Sequence, residues 1–177
     1  DSNLFRFFTF PLTIGNPITV LNNEANIVVT QNIAHRLFGD ENPVGKAVKY
    51  DNEWYTVSGV AENVPRNSHI QFNVVIPMRK LLNTPGIYTG WDGGYSVNTF
   101  VKLMQADNKS AVDAKLPGFL WGKINKKHEG SGFFSEFYLE PLDKIHLHSN
   151  VDWDTNRKEA KNVLTLLVIG LLVLVVA

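Results

Sequence analysis

The stretch from Gly39 to Lys46 contains glycines and a lysine, so phosphate binding is the first chemistry to consider. A Walker A motif has four residues between its glycines, and a serine or threonine after the lysine ligates magnesium. Here five residues separate Gly39 from Gly45, and Ala47 follows the lysine. The predicted order is also reversed, because a phosphate loop runs from a strand into a helix. We therefore interpret the stretch as a connection from a helix to a strand.

His146 and His148 are the next candidates, as metal ligands. Residues two apart share one face of a strand, so a strand would bring both imidazoles to the same side. A zinc site would need a further ligand, such as His128, Asp143 or Asp152, and no HExxH motif is present. We favour solvent-facing or turn-capping histidines, with a secreted or periplasmic metal-dependent hydrolase as an alternative.

Other catalytic arrangements have little support in the sequence. The chain contains no cysteine, which excludes disulfides, thiolate metal sites and a cysteine nucleophile. It has no G-x-S-x-G elbow, and the adjacent Ser68 and His69 carry little weight because catalytic partners meet through space. Two pairs of neighbouring carboxylates lie in polar, loop-like stretches: Asp40 with Glu41, and Asp152 with Asp154. We predict no enzyme activity, no catalytic residues, no metal and no cofactor.

The charge balance and composition narrow the class of protein. Seventeen Lys and Arg residues balance 17 Asp and Glu residues in a chain of 177 residues. A nucleic-acid-binding domain usually carries a basic excess, so we predict no nucleic-acid partner. Aromatic residues make up 11% and charged residues 19%, which excludes a strongly acidic disordered chain.

The elements that would position these residues are predicted from local patterns. Residues 27–29 read as a strand, Thr30 can cap the following helix, and Gly39 can end it. The helix would turn one apolar face to the core, formed by Ile33, Ala34, Leu37 and Phe38. Strands over 47–50 and 54–60 flank Asp51-Asn52-Glu53, which indicates a hairpin.

The remaining elements are predicted with fewer signals. Further strands are expected over 71–76, 98–104 and 133–139, and residues 142–148 as a turn-like segment. A helix capped by Asp107 should run to Ile124 and be kinked or split by Pro117. The early aromatics, Phe5, Phe7, Phe8 and Phe10, are expected in the core, with Phe8 and Phe10 on one side of a strand; a membrane-facing or partner-facing patch is the alternative. Together, these strands and helices predict an α+β fold with mixed or antiparallel sheets and two main helices.

The C-terminal residues 163–177 are apolar at thirteen of fifteen positions, and none is charged. A membrane-spanning helix needs about 20 apolar residues. The run reaches the last residue of the sequence without a closing turn signal, so we predict the start of a transmembrane helix over 161–177. A buried C-terminal strand or helix is the alternative.

Several motifs together resemble the MacB-like periplasmic core domain of FtsX/MacB-type ABC transporter permeases. The most specific lie within residues 27–76: the F-G-D-E-N-P-x-G-K loop at 38–46, the V-x-G-V strand at 57–60, and the P-x-N-S-H turn at 65–69, followed by Phe72. The opening at 5–17 and the P-L-D-K-I-H-L-H-S segment at 141–149 are similar to further parts of the family, in the form common in Bacteroidota. None of the matching residues is a catalytic residue of that family.

The resemblance implies a domain organisation and a function. Residues 1–160 would be a periplasmic core domain that lacks its N-terminal part, and 161–177 would begin the permease's second transmembrane helix. The domain would couple ATP hydrolysis by a separate cytoplasmic ABC ATPase to substrate export, extraction or mechanical signalling across the inner membrane. The implied partners are that ATPase, a second permease copy, the membrane, and a periplasmic or outer-membrane protein. The alternative is a membrane-tethered binding or sensor module without an ATPase.

Overall fold

The computed structural model describes residues 1–91, 97–105, 108–148, 165, 167–169 and 171–174, with only the backbone for 146–148. The chain forms two compact units, Asp1–Lys102 and Leu103–Ala177. We call them the N-terminal and C-terminal units.

The N-terminal unit is built on a five-stranded mixed sheet. Its strands are β1 (Leu12–Ile14), β2 (Asn26–Thr30), β3 (Ala47–Tyr50), β4 (Glu53–Ala61) and β5 (Val74–Val75). β4 is central: it pairs antiparallel with β1 and β3, and parallel with β2, whose other edge pairs antiparallel with β5. The predicted α+β class with a mixed sheet is confirmed.

A helix and a hairpin connect the two parallel strands. α2 (Gln31–Phe38) follows β2 directly, and Gly39 ends it with its N–H donated to the carbonyl of His35. The hairpin between β3 and β4 turns at Asp51 and Asn52, which both have positive φ angles of 49° and 63°. Asp and Asn tolerate this conformation, which a two-residue hairpin turn requires. The predicted strand, helix and hairpin are confirmed.

The sheet buries a separate apolar cluster on each face. On one face, Tyr55 and Val57 of β4 join Ile27, Val29, Ala34 and Val60, with Ile33 and Phe38 of α2 packed over them. On the other face, Val28 and Ala61 join Phe5, Val20 and Leu21. The predicted apolar face of the helix is wrong at Leu37, whose side chain is 53% exposed. The predicted core role of the early aromatics is confirmed for Phe5 and, through its partial burial, Phe10.

A bulge in β4 allows buried apolar clusters to form on both faces of the sheet. The register shifts between Val57 and Gly59, and the Ser58 hydroxyl donates to the carbonyl of Val20 at 2.7 Å. A bulge of this kind adds one residue to the alternation, so Val60 returns to the face of Val57. Gly59 then lies against β1, where a Cβ would come within 2.9 Å of the Ile14 carbonyl oxygen.

Several predicted strands are shorter or absent. The strand expected over 71–76 is limited to β5, and the early phenylalanines belong to α1 (Leu4–Phe7) and an irregular segment rather than to a strand. Residues 98–104 form no strand over the described range. Residues 133–139 likewise remain outside any sheet, and backbone groups of Ser135 and Leu139 are bonded to side chains of neighbouring helices, as described below.

The other helices are short. α3 (Met78–Leu82) follows β5, and the C-terminal unit contains α4 (Lys109–Asp113), α5 (Leu116–Lys123), a 3₁₀ helix (Asn125–His128) and α6 (Leu142–His148). The predicted long helix is split, but before Pro117, which lies in the first turn of α5 where its missing N–H is not needed. The predicted cap Asp107 lies outside the described residues. α6 replaces the turn-like segment expected over 142–148.

The apolar C-terminal run has helical backbone at 165, 167–169 and 171–174, and its described leucine and valine side chains are exposed. Within the described part of the chain, no helix combines the length and the hydropathy needed to cross a membrane. The boundary between a core domain over 1–160 and a helix beginning at 161 therefore stays a prediction.

Candidate functional site

The loop from Phe38 to Lys46, here called the α2–β3 loop, joins a helix to a strand as predicted. The Lys46 ammonium pairs with the Glu41 carboxylate and lies 5.1 Å from the centre of the Phe38 ring. The hydrogen bond from Lys46 lowers the pKa of the Glu41 carboxyl. The lysine that suggested a phosphate site is therefore held by an acidic partner within its own loop.

Backbone hydrogen bonds fix this loop to the central strand. The Gly45 N–H donates to the Val57 carbonyl at 2.8 Å, and the Val57 N–H donates to the Lys46 carbonyl at 2.9 Å. The Asn42 side chain accepts from the Val44 N–H at 3.1 Å, which closes an Asx turn before Gly45. Gly45 has a φ of +86°, a conformation that favours glycine. The motif residues thus build a rigid extension of the sheet edge.

The turn from Pro65 to His69 is closed by its own side chains. The Ser68 hydroxyl donates to the Ile70 carbonyl at 2.9 Å, and the Ser68 N–H donates to the Pro65 carbonyl at the same distance. The Gln71 amide donates to the Pro65 and Ser68 carbonyls at 2.7 and 2.8 Å. These bonds confirm the interpretation of Ser68 as a turn residue.

The start of α2 is capped by a residue that sequence reasoning missed. Thr30 occupies the N-cap position, as predicted, but its side chain forms no capping bond. The Thr30 hydroxyl is buried without a hydrogen-bond partner among the described residues. Instead, Asn63 accepts the Asn32 N–H at 3.0 Å, and its amide donates to the Asn32 side chain at 3.1 Å. No local pattern indicates this cap, because 31 residues separate the partners.

The neighbouring carboxylates Asp40 and Glu41 each contact a different side chain. Asp40 lies 3.5 Å from Nδ1 of His35, whereas Glu41 pairs with Lys46, so the two neighbours do not form an acid–base pair. Asp152 and Asp154 lie outside the described residues.

A further ion pair links the sheet to α3. Glu53 lies 2.5 Å from the Lys80 ammonium. The hydrogen bond between them lowers the pKa of the Glu53 carboxyl and raises the pKa of Lys80. The Tyr55 hydroxyl also donates to Glu53 at 3.4 Å, and burial raises the pKa of that phenol. The contact anchors α3 to the start of the central strand.

The metal site was predicted on the premise that His146 and His148 lie on a strand, and the structure does not place them on one. His146 and His148 belong to the helix α6, and residues two apart do not face each other on a helix. Their side chains, and Asp152, lie outside the described residues. The His128 ring contacts the Phe133 ring at a tilt of 59°, with ring centres 4.8 Å apart, and Asp143 lies in the first turn of α6. The described residues contain no cluster of three potential ligands that could hold a metal ion.

The C-terminal unit presents exposed aromatic rings next to lysines. Phe119, Trp121 and Phe134 are 40%, 46% and 69% exposed, and Lys123 and Lys126 are exposed beside them in sequence. Residues 116–122 contain no polar side chain, and Lys123 follows at once.

Side chains of the helices hold this part of the unit together. The buried Asn125 amide donates to the Ser135 carbonyl and its carbonyl accepts the Ser135 N–H, both at 2.9 Å. Asp113 accepts the Leu139 N–H at 2.9 Å. Pairing with Lys109, and then the Leu139 N–H, lowers the pKa of the Asp113 carboxyl. The segment that carries Phe134 is thereby fixed beside the 3₁₀ helix.

One solved structure supports this fold, and a second is reported beside it. A domain of a protein assigned as a permease from Porphyromonas gingivalis has a TM-score of 0.51 and 19% identity, over 70% of this chain and 52% of that chain. The periplasmic region of MacB from Actinobacillus actinomycetemcomitans has a TM-score of 0.46 and 17% identity, over 76% and 64% of the two chains. The chain thus spans about half to two thirds of the length of these structures. No curated protein sequence matches it.

A family model covers two thirds of the chain. The model of the MacB-like periplasmic core domain matches residues 1–118, which include the whole five-stranded sheet and the α2–β3 loop. The resemblance in the motifs of residues 27–76 is confirmed by this match. The chain therefore belongs to the family of MacB-like periplasmic core domains, found in ABC transporter permeases.

Proposed function

We propose that this chain is the extracytoplasmic domain of an ABC transporter permease of the inner membrane. In this proposal a separate cytoplasmic ATPase hydrolyses ATP, and the domain transmits the motion to substrate export, extraction or signalling in the periplasm. The observation that carries the proposal is the family match over residues 1–118. The 19% identical domain of the Porphyromonas gingivalis protein supports the fold on which it depends.

The contacts of Lys46 and Gly45 in the α2–β3 loop support a role without covalent chemistry. Lys46 is engaged by Glu41, and Gly45 is engaged by Val57 of the central strand. A loop held in this way is suited to carrying force or presenting a fixed surface. We propose accordingly that nucleotide chemistry belongs to the ATPase partner and not to this loop.

The membrane attachment is proposed from the apolar C-terminal run. Residues 161–177 would begin a transmembrane helix, and a permease of this kind would act as a pair of copies. A periplasmic or outer-membrane protein would be a further partner. A membrane-tethered sensor without an ATPase is the alternative that the following experiment separates.

The test is recovery of the ATPase with the full-length gene product from its native membrane in mild detergent. We expect a stoichiometric ATPase subunit by mass spectrometry, together with ATP hydrolysis in the recovered complex. The matched variant is Lys46→Gln, which should leave both unchanged because Lys46 holds a loop and binds no phosphate. Loss of nucleotide binding in this variant would contradict the proposal. A membrane-bound protein without any ATPase would favour the tethered sensor.

A further inference from the structure

The hairpin of β3 and β4 has one covered face and one uncovered face. On the covered face, Tyr55 is buried and Val48 packs against the apolar cluster that contains it. On the opposite face, the strand register brings together exposed side chains from both strands: Ala47 opposite Thr56, and Lys49 opposite Trp54. Trp54 is 67% exposed. The uncovered face therefore carries a large indole directly beside a lysine.

β3 also leaves backbone groups open along its outer side. The Thr56 N–H of β4 donates to the Ala25 carbonyl, on the side of β4 away from β3. Its partner Ala47 is therefore at a position that exchanges no hydrogen bonds with β4, and Lys49 is the next such position, because they recur at every second residue. The N–H and C=O groups of both residues point outward. In the described part of the chain, no strand pairs with this side of β3.

The charges of the hairpin are divided between its two faces. Glu53, the acidic residue of β3 and β4, pairs with Lys80 and accepts a hydrogen bond from Tyr55, so it lies on the covered face. Lys49 is on the face of Trp54 and forms no ion pair among the described residues. The uncovered face thus offers an unpaired positive charge next to an aromatic ring.

These features together indicate the ligand. Outward N–H and C=O groups at strand spacing are matched by another extended polypeptide, which adds main-chain hydrogen bonds and turns every second side chain to one face. An acidic side chain opposite Lys49 would form a cross-strand ion pair. The small side chain of Ala47 leaves the indole of Trp54 open to a large apolar side chain of the added strand.

We propose that the outer side of β3, here called the β3 edge, binds an extended acidic segment of a partner protein by strand addition. The acidic residue of that segment lies opposite Lys49, and an apolar residue two positions away lies opposite Ala47. The inference rests on the proposed function and deepens it, because it gives a chemical character to the periplasmic partner proposed there.

A second copy of this chain matches the β3 edge less well. The strands that form the edges of the sheet, β1, β3 and β5, contain no acidic residue, so pairing between copies through them would leave Lys49 without an anion. Lysine on an edge strand discourages pairing in general, whereas an acidic residue on the incoming strand offsets that penalty. The β3 edge therefore selects a strand that carries a carboxylate.

The test is a titration of a fluorescein-labelled, amidated peptide, Thr-Glu-Val-Phe-Thr, with the full chain in mild detergent. In antiparallel addition, its glutamate lies opposite Lys49 and its phenylalanine opposite Ala47. Fluorescence anisotropy should show saturable binding. Amide hydrogen exchange, followed by NMR, should slow at Ala47 and Lys49 when the peptide is present. The Thr56 amide, which is already bonded within the sheet, should not change.

A charge exchange gives the specific readout. Replacing the peptide glutamate by lysine should weaken binding about fivefold, because an attractive cross-strand pair becomes a repulsive one. Lys49→Glu should reverse this preference, so that the lysine peptide binds more tightly. Lys102→Glu makes the same change of charge at an exposed lysine outside the hairpin and should leave the preference as it is. Trp54→Ala should weaken the phenylalanine peptide but not a peptide with alanine at that place.

Several outcomes would overturn the inference. They are absence of saturable binding, equal affinity for the glutamate and lysine peptides, and binding without slower exchange at Ala47 and Lys49. Slower exchange of these two amides at higher protein concentration, without any peptide, would show pairing between copies and would also overturn it. None of these results bears on recovery of the ATPase, so failure of the inference is distinguishable from failure of the proposed function.

Discussion

Gly59→Ala should destabilise the N-terminal unit, because the added methyl group has no room. Its Cβ would lie 2.9 Å from the Ile14 carbonyl oxygen and 2.9 Å from Cγ1 of Val20. The Val20 atom belongs to a side chain that could shift, but only 3% of Val20 is exposed, so the surrounding core leaves it little room. The Ile14 oxygen is backbone of β1, so relief requires β1 to move away from β4.

The magnitude follows from two opposing effects. Overpacking a core position costs about 1–3 kcal/mol, whereas replacing glycine by alanine restricts the unfolded chain and contributes about 0.4–1 kcal/mol of stability. The net loss should be about 1–2 kcal/mol, which corresponds to a factor of about 5–30 in the ratio of folded to unfolded protein. Hydrogen exchange of the β4 amides, followed by mass spectrometry, should accelerate by that factor.

Two controls make the test specific. Gly118→Ala adds a methyl group into open space within α5, so it should stabilise the helix by about 0.5–1 kcal/mol and leave β4 exchange unchanged. Val20→Ala removes one of the two crowded atoms, so the double variant should lose less stability than the sum of the single losses. Unchanged β4 exchange in Gly59→Ala would refute the close approach on which this reasoning depends.

Three further predictions concern the cap and an ion pair. Asn63→Ala should destabilise α2 by about 1 kcal/mol in urea unfolding, because the Asn32 N–H loses its acceptor, and an unchanged midpoint would contradict that cap. Thr30→Val should stabilise the unit by about 1 kcal/mol, because it removes a buried hydroxyl without a partner, and a loss of stability would show a hidden partner. The lowered pKa of Glu53 means that the stability from its pair with Lys80 is present above pH 4.5 and is lost as the pH falls through the folded-state pKa. The raised pKa of Lys80 means that this stability is also lost as the pH rises through the folded-state pKa, above 10.5, and in Glu53→Gln both changes in the thermal midpoint should disappear.

The segment from β2 to β4 could be predicted from the sequence because each of its signals is local. The signals lie within a few residues of the elements that they specify. They are the apolar run at 27–29, the amphipathic pattern of α2 ended by Gly39, and the hairpin turn at Asp51 and Asn52. The α2–β3 loop is predicted correctly for the same reason, since glycine spacing, Ala47 and the order of the adjacent elements all separate it from a phosphate loop.

The contacts that could not be predicted join distant parts of the chain. The Asn63 cap and the approach of Gly59 to Ile14 depend on strand pairing, which no short pattern encodes. The predicted strand over 133–139 did not form, and Asn125 and Asp113 bind backbone groups of this segment from helices. Side-chain partners can thus replace a sheet edge without any sign in the segment itself.

The parallel pairing of β2 with β4 has a consequence for the order in which the unit folds. Asn26 and its partner Thr56 are thirty residues apart, whereas the β3–β4 hairpin closes around two residues. Hairpins form in about 1–10 μs, but distant strands must first close a long loop and lose its entropy. We therefore expect the hairpin to form first and β2 to join it late, with α2 completing the crossover. Weakening the hairpin should then slow refolding, whereas weakening β2 should mainly speed unfolding.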